Sequence, residues 1–129
     1  MRREAWLAAA PDSAREARAI VREAATEAGL NGNGTWDLML ATTEAVANAV
    51  QHGRAWPNEC ILLTTEPCEG GLRVEISDCG SFDGEPEPGG IDSITGRGIP
   101  IISAVVDRLE VLNGDGRTRV RFERHADAA

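Results

Sequence analysis

Apolar side chains recur at helical spacing in two stretches near the N-terminus. From Ala14 to Ala28, Ala17, Ile20, Val21 and Ala24 share one side of a run rich in Ala, Arg and Glu. Ser13, followed three residues later by Glu16, has the form of a capping box, which predicts the start of a first helix there. Gly29 and Asn31-Gly32-Asn33-Gly34 read as the end of that helix and a turn. Thr35 is then placed to cap a second helix running to about His52, with Gly53 positioned to stop it. Leu38, Met39, Ala45, Val46, Ala49 and Val50 give the second helix an apolar side. Ahead of both, Glu4 to Ala10 reads as an edge strand ended by Pro11-Asp12-Ser13.

After Pro57 the period falls to two. Cys60 to Thr65 reads as a strand, and Leu72, Val74 and Ile76 alternate with Arg73, Glu75 and Ser77, so Glu69-Gly70-Gly71 between them predicts a hairpin. Cys79 to Gly98 is rich in Gly, Pro and acidic residues and has no period, which predicts a long loop of the kind that serves as a lid or binding loop. Ile99, Ile102 and Val106 restore a helical spacing over Ile99 to Asp107, with Pro100 in the first turn and Gly96-Arg97-Gly98 at the N-terminus. Leu109 to Leu112 and Thr118 to Phe122 alternate as two last strands around Asn113-Gly114-Asp115-Gly116. The final strand has Thr118, Val120 and Phe122 on one face and Arg117, Arg119 and Arg121 on the other.

Composition narrows what these elements build. At 129 residues the chain is long enough for one hydrophobic core and too short for two, so residues 1–129 read as a single domain. His125 to Ala129 reads as a frayed tail. No apolar run approaches the ~20 residues that span a bilayer. Met1-Arg2-Arg3 is followed by Glu4 and not by the apolar stretch of a secretion signal, so the expected location is cytoplasmic, with no membrane partner. Three cysteines, Cys60, Cys68 and Cys79, are odd in number and lack C-x-x-C spacing, so reduced thiols are expected, with neither a disulfide framework nor a zinc site. Net charge is -8 and all thirteen basic residues are arginine, which argues against direct nucleic-acid binding and removes any P-loop lysine. An acidic surface suits a partner with a basic patch, or serves solubility alone.

Three polar features stand out from this frame. Glu44, Asn48 and His52 fall within about 80° of one another on the second helix, a stripe bordering its apolar side. Taken alone it is either a solvated face with an i, i+4 pair or the edge of a site. Asp78 continues the inward positions of Leu72, Val74 and Ile76; it is either a strand-end turn residue or a buried carboxylate that needs a specific partner. Gly96-Arg97-Gly98 opens a helix, where exposed amides and aligned peptide dipoles favour anions.

The order Glu44-x-x-x-Asn48, Asp78-x-Gly80, Gly96-x-Gly98 resembles the N, G1 and G2 boxes of the ATPase superfamily that includes DNA gyrase, the heat-shock chaperone ATPase, the histidine kinases and the mismatch-repair ATPases (the GHKL, or Bergerat-fold, superfamily). The likeness covers residues 12–123 and is to the bacterial anti-sigma-factor serine/threonine kinases. Their E-A-V-x-N-A-x-x-H-G stands here as Glu44 to Gly53, and a phenylalanine form of G1 as Asp78-Cys79-Gly80-Ser81-Phe82-Asp83. The resemblance implies an α/β (α+β) two-layer sandwich, a mixed or mostly antiparallel sheet covered on one face by three helices, with core about 12–123 and 124–129 as tail. It implies ATP and Mg²⁺ as cofactors. Asn48 is the implied metal ligand, Asp78 the acceptor for the adenine amino group, Gly80 the point where backbone approaches the base, and Gly96, Arg97, Gly98 and Ile99 the phosphate-binding stretch. Glu44 is the implied general base. For Arg97 an outward surface position is the alternative, and for His52 a helix-capping role.

The implied function is that of an anti-sigma factor that sequesters a sigma factor and phosphorylates an anti-sigma-factor antagonist on Ser or Thr, commonly as a homodimer. Two rivals share the site: an adaptor in which ATP only orders a lid, and a pseudo-kinase without ATP. Phe82 replaces the second glycine of the wider D-x-G-x-G pattern, which narrows the likeness to the anti-sigma branch or marks weaker nucleotide binding. Glu85, Glu87 and Asp92 make the lid acidic, so a triphosphate there calls for Mg²⁺.

Overall fold

A computed structural model describes residues 1–52, 59–79, 98–114 and 117–127. The elements are β1 (Arg3–Leu7), α1 (Ser13–Glu27), α2 (Gly32–His52), β2 (Ile61–Cys68), β3 (Gly71–Ser77), α3 (Gly98–Val105), β4 (Arg108–Gly114) and β5 (Arg117–His125). The five strands form one sheet in the order β1-β2-β3-β5-β4, and each neighbouring pair is antiparallel. The expected two-layer α+β architecture is therefore present, with a wholly antiparallel sheet among the described residues.

Strand alternation decides which face the helices cover. Ala5, Leu63, Ile76, Val120 and Val111 lie in one cross-strand row, and Arg3, Thr65, Val74, Phe122 and Leu109 in the next row on the same face. Leu63, Val74, Ile76, Val120 and Phe122 are buried there with Ala17, Val21, Leu38, Val46 and Ile102 of the helices. The opposite face carries charge in register, with Arg121 paired to Glu75 and Arg73 to Glu123, each at 2.8 Å. One glycine is indispensable to the ladder: a Cβ on Gly71 would lie 2.1 Å from the Arg124 carbonyl oxygen.

Helix ends depart from the sequence reading. The Ser13/Glu16 capping box does not form; Asp12 is the N-cap, without a side-chain cap bond, and the buried Ser13 hydroxyl instead donates to the Ala8 carbonyl. Gly29, at φ +85, ends α1 as expected. α2 starts three residues earlier than Thr35, because Asn31 Oδ1 accepts the Gly34 amide at 3.0 Å and leaves no work for a threonine cap. Leu30, packed in the core, sets that entry.

The tail reading also needs correction. β5 runs to His125, and Arg124 reaches inward to Asp37 of α2 at 3.0 Å and to Asp127 at 2.9 Å, so the strand's end is tied to the helical layer. Cys60 and Cys79 are disulfide-bonded, with Cα atoms 4.9 Å apart, and only Cys68 of the three is free. The reason is register: Leu62 pairs with Ser77, and two residues further out on each strand Cys60 faces Cys79. Their separation of 19 residues conceals that proximity in the sequence.

Candidate functional site

The small residues Ala45 and Ala49 form the buried edge of α2 and let its backbone lie close over the ends of β3 and β5. Asn48 and Asp78 meet there. They line one narrow crevice of about 10 Å³ with Ala45, Ala49, Ile76, Thr118 and Val120, room for about one water at its floor. Four of the seven lining residues are apolar; the three polar ones supply an amide, a carboxylate and a hydroxyl.

Asp78 is only 5% exposed, and its burial is matched by specific bonds. Its amide donates to the Thr118 carbonyl and its Oδ1 accepts the Thr118 amide, both at 3.0 Å, which carries the β3–β5 ladder one step beyond Ser77 through a side chain. Arg117 Nη1 donates to the Asp78 carbonyl at 3.2 Å. The carboxylate is thus held on the inner face with a fixed orientation, just past the end of β3. Thr118 in turn donates its hydroxyl to Asn113 Oδ1 at 2.9 Å. Sequence reasoning placed Thr118 on one face with Val120 and Phe122 but missed its role in orienting Asp78. No signal in the sequence marks that role, because the orienting group is the Thr118 backbone amide.

The other expected residues are distributed less tightly. Glu44 is half-buried on α2, one turn before Asn48, and is not among the residues lining the crevice. Gly98 is the first residue of α3, which packs against α2. Ile99 is partly buried and its side chain packs on the core, so any contact it makes with phosphate falls to its backbone. Gly53, Gly80, Phe82, Glu85, Glu87, Asp92, Gly96 and Arg97 lie outside the described residues. His52 closes α2.

The family model for the histidine kinase-like ATPase domain matches residues 7–124. The chain belongs to that family. Membership implies ATP as the ligand, generally with Mg²⁺, and the crevice agrees with it chemically. A buried carboxylate is an acceptor for an exocyclic amine, alanine and β-branched side chains suit a flat base, and a carboxamide oxygen is a hard ligand of the sort Mg²⁺ takes. The RsbU and RsbW domains of Rv1364c from Mycobacterium tuberculosis, seen in a crystal structure, share the fold with a TM-score of 0.76 at 24% identity. That likeness takes in 97% of this histidine kinase-like ATPase chain and 32% of the mycobacterial one, so the chain spans about a third of that protein's length. No curated protein matches the chain. Among the described residues, no helix is long and apolar enough to cross a membrane.

Proposed function

We propose that this chain is an ATP-binding anti-sigma factor that sequesters a sigma factor and phosphorylates an anti-sigma-factor antagonist on Ser or Thr. The observation that carries the ATP-binding part is the meeting of Asp78 and Asn48 in one crevice between α2 and the β3–β5 pair, with Asp78 oriented by the Thr118 amide. The anti-sigma part rests on the forms of Glu44 to Gly53 and Asp78 to Asp83. In this reading Asp78 accepts a hydrogen bond from the adenine amino group, Asn48 holds Mg²⁺, and Gly96, Arg97, Gly98 and the Ile99 backbone face the phosphates at the N-terminus of α3. ATP supplies the phosphoryl group. Glu44 takes the proton from the incoming hydroxyl of the antagonist.

Phe82 in place of the second glycine of the wider pattern supports a second reading, in which ATP binding only switches protein partners and no phosphoryl group moves. Two measurements on the purified chain separate the readings. Thermal unfolding with ATP·Mg²⁺ against GTP·Mg²⁺ tests the base site: ATP is expected to raise the melting temperature by mass action and GTP much less, whereas equal shifts would remove Asp78 as the adenine reader. Incubation with γ-labelled ATP and candidate antagonists then tests transfer. Label on a Ser or Thr of the antagonist supports the kinase; ATP binding without transfer to the protein's own partner leaves the adaptor.

A further inference from the structure

A second polar cluster lies on the opposite face of the sheet, at the far ends of β2 and β5. Cys68, Gly71 and His125 stand in one cross-strand row, and Glu66, Arg73 and Glu123 in the next. The central position of the first row is a glycine, so β3 places no side chain between Cys68 and His125. A Cys68 Sγ, a Glu123 carboxylate oxygen and a His125 ring nitrogen consequently lie within 4.8 Å of one another. Glu123 is 7% exposed although it faces away from the core, and its two oxygens are divided between partners. Oε2 takes Nε and Nη2 of Arg73 at 2.8 Å each, and Oε1 is 3.1 Å from His125 Nε2.

From this geometry we propose that Cys68, Glu123 and His125 are the protein ligands of a Zn²⁺ site that keeps a fourth position open to solvent. One sulfur, one imidazole nitrogen and one carboxylate oxygen are the ligand types zinc takes, and three protein ligands with an open position are a recognised arrangement for it. Bond lengths of about 2.3 Å to sulfur and 2.0 Å to nitrogen put tetrahedral ligand atoms about 3.5 Å apart, so the cluster needs to contract by no more than about 1.3 Å. Supporting bonds are in place around the ligands. Arg73 fixes the Glu123 carboxylate by its other oxygen, leaving Oε1 toward the site, and Asp107 Oδ2 accepts the His125 amide at 2.7 Å. The backbone beside His125 is pinned as well, with the Ala126 amide donating to Gly70.

Cys68 binds the metal as its thiolate, so the thiol proton leaves when the metal enters. Burial, with the Glu123 charge added to it, pushes the Cys68 thiol above its ordinary range. Burial works to raise Glu123, but the hydrogen bonds from Arg73 and His125 outweigh it and keep this carboxyl below its ordinary value. Zinc bound here would clamp β2 to β5 across β3 at one end of the sheet. His125 and Arg73, each 38% exposed at the side chain, leave the open position accessible from solvent. Sequence spacing gives no hint of the site, because its ligands come from two strands that are not even neighbours.

The test is titration of the full chain, oxidised at Cys60–Cys79 so that Cys68 is the single free thiol, with Co²⁺ and then Zn²⁺. One saturating equivalent of Co²⁺ should produce a thiolate-to-cobalt charge-transfer band in the near ultraviolet, which Zn²⁺ then abolishes by displacement. Cys68→Ser should remove the band, and His125→Gln should weaken Co²⁺ binding by about 10- to 100-fold, with circular dichroism reporting the fold of both. The Cys60→Ser/Cys79→Ser double variant should keep the band. Absence of a saturable band in the native chain overturns the proposal. So does a band that survives Cys68→Ser, or an affinity that His125→Gln leaves unchanged, either of which would make the cluster an ion pair with hydrogen-bonding neighbours and nothing more.

Discussion

Glu44 and Asn48 are one helical turn apart on α2, and the roles proposed for them are separable. Glu44→Gln keeps the shape of the side chain and removes its ability to accept a proton. If Glu44 is the general base, transfer of labelled phosphate to the antagonist should fall by about 10²- to 10⁴-fold. ATP affinity, measured by calorimetry on the same variant, should change little. A wild-type transfer rate would end the catalytic assignment. Asp78 was legible from parity alone: three inward aliphatic residues followed at the same spacing by an acid. Its partner was not, because the group that orients it is the backbone amide of Thr118, and a backbone amide has no signature in a sequence. Cys68, Glu123 and His125 were illegible for a related reason, since their proximity becomes visible only once strand register is known.

At the scale of elements, periodicity located the helices and strands, while competition among local donors and acceptors located their ends. Asn31 and Thr35 are both good capping residues, and the sequence favoured the one after the glycines. What decided for Asn31 is Leu30, whose burial in the core brings Asn31 Oδ1 against the Gly34 amide. Asn31→Ala should therefore destabilise the domain by about 0.5–2 kcal/mol. Thr35→Ala should cost less than about 0.5 kcal/mol, as for a surface change without a cap. Urea unfolding of the two variants checks this, and a larger loss for Thr35→Ala would reverse the assignment. The same competition explains α1, where a buried Ser13 finds the Ala8 carbonyl instead of completing a capping box.

For the whole molecule, the hairpins β2–β3 and β4–β5 could be read from turn residues, but the pairing that joins them, β3 with β5, depends on α3 carrying the chain past β5's place to the sheet edge. That step is non-local and carries no motif. The Cys60–Cys79 bond was hidden in the same way, and it bears directly on stability. A loop of this size, closed covalently, stabilises a fold by about 3 kcal/mol in the chain-entropy account. Reduction by dithiothreitol should then lower the melting temperature by about 10 °C, and calorimetry with and without reductant measures it; an unchanged transition would mean that the bond adds nothing to stability. The bond also changes the topology of the unfolded chain. When oxidised and denatured, the polypeptide is a ring with two arms: one arm brings β1, α1 and α2 to the β2 side, the other brings α3, β4 and β5 to the β3 side. While the bond is intact, β2 and β3 cannot be traded separately between copies, so an exchange of strands moves either the closed hairpin as a unit or the arms.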